Sequence, residues 1–220
     1  TFDPADNSDN MKTIVYARNA CFDIAAELGF KYFVQLDDDY NHFAFRFDGH
    51  FDYYPPTKIM RNLDKVFAEV LAFFKASSCL SIALAQGGDF IGGHEGTLAQ
   101  SICLKRKCMN SFFCSTERRF TFLGRINEDV NTYTRAASTG SLFFTINQVS
   151  LVQEMTQRSD GGMTGVYLDG GTYMKSFYTV LFSPSCTTIR MMGNKNYRLH
   201  HSIKWNNAVP KILSQRHRLL

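Results

Sequence analysis

Three consecutive carboxylates, Asp37-Asp38-Asp39, close the run Tyr32-Phe33-Val34-Gln35-Leu36 and precede Tyr40. Adjacent acids at a strand end repel one another and favour a nearby cation. Mg²⁺ or Mn²⁺ suits them, because a hard divalent ion takes carboxylate oxygens and shares its remaining positions with phosphate and water. In open α/β sheets ligands bind outside the carboxyl ends of strands, where this triplet falls. A solvated acidic turn is the alternative reading of the same residues.

Other stretches also carry residue types with chemistry. Gln86-Gly87-Gly88-Asp89-Phe90-Ile91-Gly92-Gly93-His94-Glu95-Gly96 holds five glycines in eleven residues. That composition specifies a loop open to close backbone approach, or else a plain surface loop, and its spacing matches neither a P-loop nor a dinucleotide fingerprint. In Asn127-Glu128-Asp129, Asn127 is a helix cap and the two acids fall in a first turn, where the macrodipole favours them. His200 and His201 are adjacent on an expected strand, whose alternation turns only one of them inward, His201 being preferred.

The elements that must position these groups follow from periodicity. A helix over 12–28, capped by Asn10 and stopped by Gly29, feeds the acidic strand at 32–36. Alternation over 42–47 and 50–54 around Asp48-Gly49 predicts a hairpin, and Pro55-Pro56 separates it from a helix over 57–76. Strands are expected at 79–85, 111–115, 119–123, 141–147, 187–192 and 197–203. Helices are expected from Asn127 onward and, after a break at Gly161-Gly162, over 171–181. The fold class is α/β, with a central mixed, mostly parallel sheet flanked by helices in one domain over 1–220, whose ends 1–10 and 207–220 are polar or basic flanks.

The chain has 220 residues, 45% of them hydrophobic and 20% charged, enough for one sizeable core, and no apolar span long enough to cross a membrane. No signal peptide is visible, and six scattered cysteines read as reduced thiols, which places the protein in a cytoplasm. Cys103, Cys108 and Cys114 form at most an irregular zinc set. The net charge of +4 gathers late, in Arg198, Lys204, Lys211, Arg216 and Arg218 among others. This suits a polyanionic partner, with Trp205 available to stack on an unpaired base.

In order, an acidic triplet, a glycine loop, an Asn-Glu-Asp helix start and a late histidine resemble the GT-A glycosyltransferases. Leu36-Asp37-Asp38-Asp39-Tyr40 and Gly124-Arg125-Ile126-Asn127-Glu128-Asp129-Val130-Asn131 resemble the phage TET-associated glycosyltransferases, linked with sugar addition to hydroxymethylated pyrimidines in DNA. The resemblance implies a nucleotide-sugar donor, UDP-sugar foremost, with Mn²⁺ or Mg²⁺. It places Asp39, Asp37 and His200 or His201 on the metal, and Asp37 or Asp38 near the ribose. Arg18 and Asn19, from Ala17-Arg18-Asn19-Ala20, and Gly87, Gly88 and Asp89 fall to the donor. Asp129 becomes the general base of an inverting transfer and Glu128 a holder of hydroxyls. One helix before the acidic strand is less than a GT-A domain has, so the chain is either lacking its N-terminal strand region or pared down. A glycan or protein acceptor, a metal-dependent phosphoryl transferase or nuclease, and a non-catalytic DNA- or sugar-binding module are the competing readings.

Overall fold

The computed structural model of the chain describes residues 3–6, 13–54, 58–90, 92–96, 108–153, 164–193 and 197–217, and of 164–172 the backbone alone. The Asn10 cap, Pro55-Pro56, Cys103, Gly161-Gly162 and Arg218 lie outside the described residues. Helix α1 (Ile14–Glu27) turns at Gly29, with φ +76°, into β1 (Tyr32–Gln35). There follow β2 (Tyr40–Phe45), α2 (Leu63–Ala76), β3 (Ser81–Gln86), β4 (Phe112–Ser115), α3 (Glu128–Ser138) and β5 (Phe143–Gln153). Helix α4 (Thr164–Phe182), β6 (Thr187–Met192), β7 (Arg198–Ile203) and the single turn α5 (Trp205–Ala208) complete the order.

The central sheet runs β1-β4-β3-β5-β2. Only β3 and β5 pair in parallel; β1 with β4, β4 with β3, and β2 with β5 are antiparallel. The expectation of a mostly parallel sheet is therefore wrong. A helix between two strands implies a parallel crossover only when those strands are neighbours. Helix α2 joins β2 to β3, yet β5 lies between them and runs against β2. The expected hairpin is present only in short form: Phe47 and Tyr53 form an antiparallel bridge around Asp48-Gly49, while β2 takes β5 as its strand partner.

Strands β1 and β2 are the two edges of this sheet, yet residues 36–39 alone join them. On a flat sheet four strand spacings would separate the edges by about 19 Å. Five residue steps reach only about 17 Å at full extension. The sheet must curl, and α2 fills its concave side. Phe74 meets Tyr32 of β1 with ring centres 6.0 Å apart, and Phe67 meets Phe43 of β2 at 5.8 Å. On the convex face α1 and α3 pack through Phe22, Phe112, Phe122, Val130, Tyr133 and Phe143. A second sheet pairs β6 with β7, and β7 lies against α4.

One further expectation shifts. Residues 119–123 form no strand, because Asn19 takes over the backbone there: Phe122 N–H donates to Asn19 Oδ1 at 2.8 Å and Asn19 Nδ2 donates to Phe122 O at 3.1 Å. The basic C-terminal stretch runs to the amino ends of β3 and β5, the end opposite the acidic triplet. There buried His217 donates from Nδ1 to Ser78 O (2.6 Å) and accepts the Leu142 N–H at Nε2 (3.1 Å), while Arg216 donates to Ser141 Oγ.

Candidate active site

The start of α3 is built by its own sequence. Gly124 sits at φ +88°, where a Cβ would lie 2.5 Å from Asn131 Nδ2 and 2.9 Å from the Tyr178 ring, so no other residue fits. Asn131 Nδ2 donates to Leu123 O (3.1 Å) and Ile126 O (2.9 Å), tying the turn to the helix it precedes. Asn127 does not cap with its side chain; it adopts φ +55° and donates from Nδ2 to Lys175 O at 2.8 Å and Thr179 Oγ1 at 3.0 Å. This clamp fastens α4 across the start of α3. Glu128 and Asp129, each 8% exposed, are thereby presented as buried acids in a first helical turn.

Arg18 joins this turn to the acidic triplet. Its Nε donates to Glu128 Oε1 at 2.9 Å and its Nη2 to Asp37 Oδ1 at 2.8 Å, with the Phe112 ring centre 5.0 Å from the guanidinium carbon. Burial works against its charge, but Glu128, Asp37 and Asp129 together hold it firmly protonated. One guanidinium does not satisfy three acids. Burial pushes the Asp37 carboxyl up to about 6 despite Arg18, with Glu128 and Asp39 adding to the rise. Burial also raises Asp129 out of the ordinary carboxylate range, helped next by Glu128. Asp37 shares this one cation with Glu128.

Beyond Arg18, Gln153 Nε2 donates to Asp39 Oδ1 at 3.3 Å, and Asp38 is exposed. The triplet thus crosses from β1 to the carboxyl end of β5. The two histidines on β7 are stacked with ring centres 4.5 Å apart at 24°, so strand alternation does not separate their rings. Burial lowers both, His201 to about 4, with Lys175 contributing to each. Lys175 on α4 acts electrostatically on both groups: burial lowers its own pKa, Asp129 and Glu128 raise it, and Arg198 opposes them. Among the described residues no three His, Cys, Asp or Glu side chains gather as a metal site. The paired acids Asp37 and Asp39 are a donor set that a hard cation could share with phosphate and water. Lys175 acts on both histidines and Arg198 on His200.

In the glycine loop, a Cβ on Gly87 or Gly88 would meet nothing within 4 Å, and Asp89 Oδ2 accepts the Gln86 N–H at 3.0 Å. Asn19 is committed to the Phe122 backbone. Trp205 stacks on buried Tyr133 at 5.7 Å and 11°, which occupies one face of its indole. A described cavity of about 480 Å³ between α2 and β5 is mainly apolar and lies on the concave side, away from these acids. Sequence reasoning missed Lys175; its signal, a lone cation in an otherwise apolar helical stretch, emerges only once Asn127 brings α4 to the acids.

The sequence profile of the TET-associated glycosyltransferase family matches residues 4–162, which include Arg18, the acidic triplet, the glycine loop, Glu128 and Asp129. No curated protein and no solved structure matches the chain.

Proposed function

The chain belongs to the TET-associated glycosyltransferase family and is thus a sugar-transferring enzyme; from that premise we propose that it moves a sugar from a nucleotide-sugar donor to the hydroxyl of a hydroxymethylated pyrimidine in DNA. The observation that carries the mechanism is Asp129, a buried carboxylate with raised proton affinity beside Glu128, which Arg18 links to the strand-end Asp37. A base poised nearer neutrality than an ordinary Asp is suited to take the acceptor proton. Asp129 takes that proton at a carboxylate oxygen as the acceptor oxygen attacks the anomeric carbon. Glu128, fixed by Arg18, orients hydroxyl groups. Attack opposite the departing diphosphate gives inversion.

Asp37 and Asp39 would hold Mn²⁺ or Mg²⁺ together with donor phosphate oxygens, with His200 and His201 the candidates to complete the set. Such an ion, when bound, offsets charge on the leaving diphosphate. The open space at Gly87 and Gly88 leaves room for the donor sugar, with Asp89 at the loop's turn. Reaching a base at its hydroxymethyl group requires a flipped or single-stranded nucleotide. Among the described residues no helix is long and apolar enough to cross a membrane.

Mass spectrometry of hydroxymethylated DNA incubated with the chain, Mn²⁺ and a panel of nucleotide sugars tests the reading. A base carrying one added sugar residue is the expected outcome. Unmodified DNA alongside transfer to a glycan or protein hydroxyl would reassign the acceptor, and cleaved DNA would support phosphodiester chemistry instead.

A further inference from the structure

Arg46 follows β2 directly and is only 3% exposed. Phe43, Phe45, Val149 and Leu151 pack toward α2. Strand alternation therefore turns Ala44 and Ser150 away from α2, and Arg46 stands one residue past the end of β2. The main chain of Arg46 is fixed: its N–H donates to Gln148 O at 2.9 Å and its carbonyl accepts the Tyr54 N–H at 2.8 Å. The guanidinium carbon lies 3.8 Å from the ring centre of Phe90 in the glycine loop and 5.0 Å from that of Tyr53, whose hydroxyl accepts from Nη2.

What this cation lacks is an anion. Among the described residues no carboxylate bonds to it, and its Nε is buried without a partner. Nearby on β5, further buried polar atoms are unpartnered: both amide atoms of Asn147, 0% exposed, the hydroxyl of Ser150, 1% exposed, and Oε1 of Gln148. Ser150 pairs in register with Ala44 and with Ala85, two residues before Gly87. Arg46, Asn147 and Ser150 therefore adjoin the start of the glycine loop.

Ring faces and one phenol hydroxyl offset only part of the desolvation penalty of a buried guanidinium that has no counter-charge, and its fork of N–H donors matches the oxygens of a phosphate. We propose that Arg46, with Asn147 and Ser150, forms a subsite for a phosphate group beside the glycine loop. Arg46 supplies the charge and the fork; the Asn147 amide and Ser150 hydroxyl supply neutral donors. A donor nucleotide and a DNA strand present the same oxyanion chemistry, so the source is a matter for measurement. The inference rests on the glycosyl-transfer reading only in the choice of those two probes. Inorganic phosphate, which belongs to neither substrate, separates a failure of the subsite from a failure of that reading.

The test is thermal unfolding and titration calorimetry of the full chain with inorganic phosphate, a nucleoside diphosphate, and a short single-stranded oligodeoxynucleotide. Wild type should show a Tm that climbs with the logarithm of phosphate concentration. Arg46→Met should unfold no earlier than wild type without ligand, yet lose that response and bind phosphate about ten- to a hundredfold more weakly. Arg46→Lys should keep part of it. An added loss confined to the nucleoside diphosphate assigns the subsite to the donor, and one confined to the oligonucleotide assigns it to the acceptor strand. A wild type indifferent to all three probes, or an Arg46→Met that responds as wild type does, overturns the proposal. If Arg46→Met does not fold, Arg46→Lys and the double variant Asn147→Ala/Ser150→Ala decide by the same response: unchanged phosphate affinity in both would overturn it.

Discussion

At the amino end of β3, Arg118 donates to Ser77 O at 2.7 Å, Cys79 O at 2.8 Å and Phe74 O at 2.9 Å, with its guanidinium carbon 4.0 Å from the Phe74 ring centre. At the carboxyl end of β1, Arg18 donates instead to Glu128 and Asp37, with Asp129 close enough to add to its charge preference. Both guanidinium groups lie over buried aromatic rings and both tie distant segments together. Arg118 meets neutral carbonyls, which ask for no further charge. Arg18 meets more acid than it can neutralise, and burial, with the neighbouring acids adding to it, raises the proton affinity of Asp37 and Asp129. One end of the sheet is a finished structural clamp; the other is left electrostatically incomplete, as a site that receives a cation, a proton or a substrate must be.

Substitution sharpens that contrast. Arg18→Met leaves two buried acids without their cation, and should lower unfolding free energy by about 3–5 kcal/mol as well as abolish transfer; denaturant titration at pH 7 measures the first effect. Arg118→Ala should cost about 2 kcal/mol, from three lost bonds to carbonyls. The folded fraction of that variant should transfer sugar at the wild-type rate, and a specific activity reduced tenfold or more would erase the distinction between the two ends. The smallest effect concerns pH. Folded Asp37 titrates near 6 against an ordinary value of 3.8, so the native state binds the extra proton between those values. Stability is then greatest below 3.8 and falls as pH rises through about 6, by roughly 1 kcal/mol after allowance for partial solvent access. Asp129 acts in the same direction. Asp37→Asn should flatten that part of the Tm profile, and an unchanged slope would remove Asp37 from the account.

Local pattern carried much of the fold. The helix ending at Gly29, the strand entering Asp37 and the helix opening at Glu128 all stand near their expected bounds, because apolar spacing and glycine punctuation are short-range signals. Strand partners were not legible. Nothing within 40–54 says that β2 will pair with β5, 100 residues on, or that 36–39 will bridge both sheet edges. Within the site, the acids were visible as motifs, but their cations were not. Arg18 was read as a donor contact, and only the fold shows its two carboxylate partners. Lys175 and Arg46 carried no local signal, since a single cation in an apolar stretch is common. The late positive charge suits a polyanionic partner, but where its members stand is set by tertiary structure: Arg216 folds back to Ser141 at the end opposite the acids.

Single-turnover transfer measured across pH 5 to 9 for wild type and Asp129→Asn addresses the central claim most directly. The wild-type rate should rise with pH as a carboxylate above the ordinary range loses its proton, then level off. The variant should bind donor nearly as well, transfer about 10²–10⁴ times more slowly, and lose that rise. A variant that keeps the wild-type rate and pH profile would contradict it, and would leave Asp129 as no more than a buried acid at the start of α3.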